Sequence, residues 1–274
     1  MAEWLYEEGI GENRAILVED GNILEAEIEW PGELRVGAIV SGRLAAIPIP
    51  GRRGIVATGA GDEILVEPLP PSLSQGRAVR VEIVREPIPE PGRPKMAKGR
   101  IAEAPEREGP SLAERIAPFT RIRAHDPDRF EEAGWSELLE EALSGEIAFP
   151  GGALRMSLTP AMTLFDVDGG LPPDALAVAG AEAAARAIRR FGIGGSIGID
   201  LPTLPGRAER HRAAAAFDAI LPQPFERTAV NGFGFLQIVR PRRRASLAEH
   251  LQADPAGAAA RFSGECFGHR KCMW

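Results

Sequence analysis

The residues best suited to chemistry lie in "PAMTLFDVDGGLPP", residues 160–173, where a short apolar run ends in Asp166 and Asp168 and then two glycines. The run from Met162 to Phe165 reads as a buried strand. Residues i and i+2 of a strand share a face, so the two carboxylates project together. Neighbouring carboxylates repel, and they stay ionised cheaply only beside water or a cation. A second apolar run, "GSIGID", also ends in aspartate, at Asp200. If the two strands are parallel, their C-terminal ends meet on one sheet edge, where α/β folds place their sites. Asp166, Asp168 and Asp200 could then share a divalent cation. Hard oxygen ligands without a nearby histidine favour magnesium or manganese over zinc. The alternative is that each aspartate ends its strand and opens a turn or helix cap.

The elements between these residues suit that arrangement. "PDALAVAGAEAAARAIRRFG" is alanine-rich and amphipathic with a glycine stop, a helix of crossover length between the two strands. Upstream, "DRFEEAGWSELLEEAL" places Phe130, Trp135, Leu138, Leu139 and Leu143 at helical spacing, and "EIAFPGGALRMSL" pairs with "AMTLFDVD". Downstream come a helix in "PGRAERHRAAAAFDAIL", a strand or hairpin in "RTAVNGFGFLQIVRP" and a short helix in "SLAEHL" capped by Ser246. The second half therefore reads as α/β. In the first half, "AILVEDGNILEAEIEW" alternates around an Asp-Gly turn and predicts a hairpin. From Val36 to about Arg100, short apolar runs broken by glycine and proline predict a small barrel or sandwich. Residues 103–130 read as a polar connector with one short helix.

The chain of 274 residues carries a net charge of −7, which alone argues against a nucleic-acid partner. The charge is unevenly spread. Residues 1–35 hold ten acidic and two basic side chains, whereas 225–274 hold eight basic and four acidic ones. The centre of that basic span is "VRPRRRASL", where Arg240, Arg242, Arg243 and Arg244 cluster as phosphate binding requires, or else form a solvated loop. No apolar stretch is long enough to cross a bilayer, and the acidic start lacks signal-peptide features. A cytoplasmic protein without membrane contact is expected. The two cysteines imply no disulfide framework. With His269, Cys266 and Cys272 space as C-x2-H-x2-C, three ligands of zinc-compatible type that a second subunit could complete. The bland alternative is an unstructured tail with two reduced thiols.

Three blocks, "EEALSGEIAFPGGALRMSLTPAMTLFDVDG", "RAIRRFGIGGSIGIDL" and "NGFGFLQIVRPRRRASL", together resemble the catalytic half of the ribonuclease E/G family in order and direction. "NRAILVEDGNILEAEIEWPG" with "VGAIVSGRL" is more loosely similar to that family's entry strands and the start of its RNA-binding barrel. The resemblance implies an α+β protein: an OB-fold barrel joined to an α/β catalytic module, made of a ribonuclease-H-like remnant and a deoxyribonuclease-I-like subdomain. It divides the chain into N-terminal strands (1–35), barrel (36–102), connector and remnant (103–150), catalytic subdomain (151–252) and tail (253–274). It further implies hydrolytic endonuclease action on single-stranded RNA, with Asp166 and Asp200 as magnesium ligands. Asp168 would stand where the family has an asparagine. Arg43, Lys95, Arg240, Arg242 and Arg244 would contact RNA, and a homodimer would be compatible. Ile55 and Ile64 would stand where the family's barrel offers stacking aromatics, and the connector is too short for a 5′-end sensor. A drifted, non-catalytic RNA-binding relative is the alternative. "LFDVDGGL" also resembles the first motif of haloacid-dehalogenase-type phosphatases, but Gly170 replaces their usual Thr or Ser. Between Lys98 and Lys271 there is no lysine to serve as theirs.

Overall fold

The computed structural model describes residues 1–253 apart from 10, 91 and 93. The chain is α+β, with two open sheets and a closed five-stranded barrel. It begins with β1 (Glu3–Glu8), β2 (Asn13–Glu19) and β3 (Asn22–Glu29). Asp20 and Gly21 both take positive φ, 51° and 78°, as a tight two-residue hairpin turn requires. The "EDGN" signal therefore folds as read.

The barrel comprises β4 (Ile39–Ile49), β5 (Arg53–Thr58), β6 (Glu63–Val66), β7 (Ala78–Arg85) and β8 (Ala97–Ala102). Its strand order is β4-β5-β6-β8-β7, closed by β4 against β7, with β6 and β8 parallel. Leu44, Val56, Ile64, Val66, Val81 and Ile83 fill its interior. Ile64 is fully buried there, so it cannot present a surface to a base; its neighbour Leu65 is the outward residue, opposite Ile55. The expectation for Ile64 is thus corrected by one residue, and in a strand one residue changes the face.

After the barrel come α1 (Leu112–Ile116), capped by Ser111 and Glu114, and β9 (Thr120–Ile122). The latter lies in the stretch read as connector, yet it pairs in parallel with β1 and completes a sheet of order β3-β2-β1-β9. Three residues give too little periodicity to be read as a strand. Next are α2 (Arg129–Glu132) and α3 (Trp135–Ser144), broken at Gly134, whose φ is +91°. Leu143 is exposed and Ala142 takes the buried place.

The second sheet has six strands: β10 (Glu146–Phe149), β11 (Gly152–Leu158), β12 (Thr163–Gly169), β13 (Gly195–Asp200), β14 (Glu226–Arg227) and β15 (Phe235–Arg240), in the order β10-β11-β12-β13-β15-β14. "EIAFPGGALRMSL" is thus two strands around a Pro-Gly turn, and Glu146–Phe149 belongs with the six-stranded sheet. Between β12 and β13 runs α4 (Pro173–Arg190), with proline in its first turn; α5 (Arg207–Ile220) follows β13, and α6 (Leu247–Ala253) follows β15. Buried alanines at 177, 181, 184, 185 and 187 let α4 lie close against its neighbours. Both open sheets share one core with α2, α3, α4, α5 and α6, anchored by Phe130, Trp135, Phe165, Phe191 and Phe217. Among the described residues no helix is long and apolar enough to cross a membrane.

Candidate active site

Because β12 and β13 are parallel, their ends meet on one edge. Asp166 is the register partner of Asp200, and Phe165 that of Ile199. Phe165, Val167, Ile197 and Ile199 point into the core, so alternation turns Asp166, Asp168 and Asp200 to the opposite, solvent-facing side. Adjacent strands lie about 4.8 Å apart, which brings the two carboxylates within reach of one cation. Neither aspartate forms an ion pair among the described residues. Asp168 lies roughly 7 Å further along β12, beyond the end of the pairing with β13. Its Oδ1 accepts the Gly169 N–H at 2.8 Å, which ties the carboxylate to its own strand end. No group of three or more His, Cys, Asp or Glu side chains converges as a metal cage among the described residues. The carboxylates at 166 and 200 form a pair, with Asp168 beside it.

The register extends this pair into a row. Glu146, Arg155, Asp166, Asp200 and Phe235 lie opposite one another across β10, β11, β12, β13 and β15. Arg155 Nε donates to Glu146 Oε1 at 3.0 Å. That hydrogen bond, above all, holds the guanidinium pKa above its ordinary value, with smaller contributions from Asp166 and Asp168. The sequence alone does not mark Arg155 as part of the site, although the alternation of "ALRMSL" and the tight turn after Leu158 carry the signal for it. The register sets this guanidinium directly beside the acidic pair.

The clustered arginines are elsewhere. Arg240 pairs with Gly195, and Phe235 with Asp200, so Arg240 is at the far end of β15, roughly 17 Å along the strand. It is half-buried and donates to Ile193 O at 3.1 Å, and burial lowers its pKa. Arg242 pairs with Glu90 at 3.3 Å and with Glu249. Arg244 Nε is 3.2 Å from Glu86 Oε1, while the Glu86 N–H donates to Arg243 O at 2.9 Å. "RPRRR" therefore joins the segment after β7 to α6, and the structure does not bring Arg240, Arg242 or Arg244 to the aspartates. Sequence proximity gave the cluster its basic look; its glutamate partners lie about 150 residues earlier or in the following helix.

On the barrel, Lys95 is paired with Glu90. Arg43 is exposed and donates to Gly76 O at 3.3 Å. Arg43 faces Ala78, and Arg80 faces Ser41, so Arg43 and Arg80 are diagonal neighbours on the outside of β4 and β7. Arg77, just before β7, is also exposed. None of these three has a carboxylate partner among the described residues, and Arg77 and Arg80 are additions to the basic residues read from the sequence. Cys266, His269 and Cys272 lie outside the described residues. No family model matches this sequence, and no curated protein matches it.

Proposed function

We propose that this chain is a divalent-cation-dependent endoribonuclease of the ribonuclease E/G type, which cleaves single-stranded RNA by hydrolysis in cytoplasmic RNA processing or decay. The observation that carries the reading is the pairing of Asp166 with Asp200 at the ends of adjacent parallel strands, on an open face beside Arg155. The donor set fits magnesium or manganese: two exposed carboxylates, with room for water and phosphate oxygens as the remaining ligands. Bound there, the cation would polarise the phosphodiester and acidify the attacking water. Asp166 and Asp200 would hold it, and Arg155 would offer its guanidinium to a phosphate oxygen. Asp168 adds a negative charge that raises the demand for the cation. Cleavage leaves a 5′-phosphate.

The barrel supports the RNA reading. Its first-second-third-fifth-fourth strand order, with the third and fifth parallel, is consistent with an OB-fold. Arg43, Arg77 and Arg80 give it a basic strip, without carboxylate partners among the described residues, for a phosphate backbone. Between the barrel and α2 there are only a five-residue helix and a three-residue strand, which supports the absence of a 5′-end sensor. The remaining parts of the reading are a ribonuclease-H-like remnant within residues 103–150 and a deoxyribonuclease-I-like subdomain over 151–252.

A second reading, RNA binding without catalysis, is favoured by the engagement of Arg155 with Glu146 and by the third carboxylate. Incubation of end-labelled single-stranded RNA, carrying a 5′-monophosphate or a 5′-hydroxyl, with purified protein and magnesium separates the two. The nuclease reading expects cleavage of both, abolished by EDTA. Tight RNA binding with no cleavage of either would establish the second reading instead.

A further inference from the structure

Between Val36 and Ala102 the sequence contains no Phe, Tyr or Trp, so the barrel can grip a phosphate backbone but offers no aromatic face to a base. The six-stranded sheet does. Phe233 is 84% exposed, far more than any other described aromatic side chain with a large apolar surface. Burial of aromatic surface is favourable, so a ring this open beside the carboxylate pair is available to stack on a base.

Its support is rigid. Asn231 Oδ1 accepts the N–H groups of Phe233 at 2.9 Å and Phe235 at 3.0 Å, and the Gly234 N–H donates to Asn231 O at 3.2 Å. The turn is also fastened to the chain that follows Asp200. Leu201 N–H donates to Gly234 O at 3.2 Å, and Thr203 Oγ1 donates to Phe233 O at 3.3 Å. Gly234 has φ +95°, and a Cβ there would come within 2.1 Å of Leu201 O. Only glycine permits this approach. Two residues beyond Phe233, Phe235 is the register partner of Asp200. The Phe235 ring lies over Gly198, where a Cβ would come within 2.5 Å of its Cζ. One aromatic therefore borders the carboxylate pair on the sheet, and a second stands exposed on the adjoining turn.

We infer that Phe233, backed by Phe235, is a stacking platform for a nucleobase of the RNA strand next to the cleaved phosphodiester. The inference rests on the endoribonuclease reading and names the substrate contact that it lacks. A base stacked at this turn fixes the strand beside Asp166 and Asp200 without selecting sequence, since every base has a π-face. Phe233 is then a positioning and affinity residue, not a catalytic one.

The test measures binding of a fluorescein-labelled single-stranded RNA to the cleavage-silent Asp166→Asn protein, with and without Phe233→Ala. A second probe is an RNA of equal length whose central nucleotides are abasic. Loss of one stacked base weakens binding about 5- to 150-fold. That loss is expected on the intact RNA and not on the abasic one, with Phe233→Tyr close to the parent. In the protein with native Asp166, Phe233→Ala is expected to raise KM with kcat within about twofold, as for an interaction made equally in ground and transition states. Unchanged affinity for intact RNA, or an equal loss on both probes, overturns the platform while cleavage by the native protein still stands. Phe233-dependent binding in a protein that cleaves no RNA upholds the platform and overturns the nuclease reading.

Discussion

Asp166 and Asp200 lie directly opposite each other on neighbouring parallel strands, 34 positions apart in sequence and joined by the single crossover helix α4. The pairing matters because it fixes both carboxylates to rigid backbone. An acidic pair on loops could separate to relieve its repulsion; this one is held, and water or a bound cation must offset the repulsion. Arg155 on one side and Phe235 on the other extend the same register, so phosphate, metal and base recognition would all be set by strand pairing.

Asp168 is the acidic residue beyond the pair. In the nuclease reading a carboxylate there would repel an incoming phosphate, by up to about 1 kcal/mol at a few ångströms in a watery environment. Asp168→Asn should therefore raise kcat/KM for RNA cleavage by up to about fivefold at low ionic strength. The gain should shrink as salt screens the charge. A loss of activity of a hundredfold or more would instead make Asp168 a necessary ligand. Steady-state rates at two salt concentrations distinguish these outcomes.

Two groups of arginines should behave in opposite ways. Arg43 and Arg80 are exposed without carboxylate partners among the described residues, so their joint replacement by alanine should weaken RNA binding and flatten its salt dependence. For a single strand the slope of log K against log salt should fall by about 1.4 for the two contacts. Arg242 is only 21% exposed and paired with Glu90 and Glu249. Arg242→Ala should leave the salt slope unchanged and cost roughly 3 kcal/mol of stability, as expected when one partner of a part-buried pair is removed. Salt titrations and urea unfolding of the same two proteins measure both effects.

Those arginines also mark where the sequence misleads. A run of like charge is visible locally, but its counter-charges are not: Glu86 and Glu90 come from the segment after β7. The carboxylate pair was legible because each aspartate ends its own apolar run, with a helix of crossover length between the runs. Strand parity supplied the rest. Arg155 required the β11–β12 register, and β9 was too short to carry a pattern. Ile64 shows the opposite limit, since placing a strand without its parity leaves the outward residue undecided between Ile64 and Leu65.

Glu86 joins the barrel to the C-terminal helix region and gives a pH signature. Its Oε1 accepts the Val36 N–H at 3.0 Å and lies 3.2 Å from Arg244 Nε, yet burial dominates and raises its pKa above the usual 4.5. The folded protein therefore holds this proton more tightly than the unfolded chain does. As pH rises from 4.5 towards the raised folded value, the unfolded chain releases the proton first, and this group's contribution to stability falls. Above the folded value the contribution is flat. Glu86→Gln should remove that part of the decline, so unfolding midpoints measured between pH 4 and 7 should fall less in the variant than in the parent. Identical slopes in the two proteins would contradict the assignment.

The most direct measurement of the central claim is the magnesium-dependent cleavage rate of Asp166→Asn, Asp200→Asn and the double variant on one labelled single-stranded RNA. Both positions are exposed, so the proteins should fold as the parent does. If the two carboxylates hold one cation, each single change should lower kcat by at least about 10³-fold, and the double change should be scarcely worse than either, as for residues acting as a unit. Full activity in either single variant, or losses that simply multiply in the double, would contradict a shared metal site at Asp166 and Asp200.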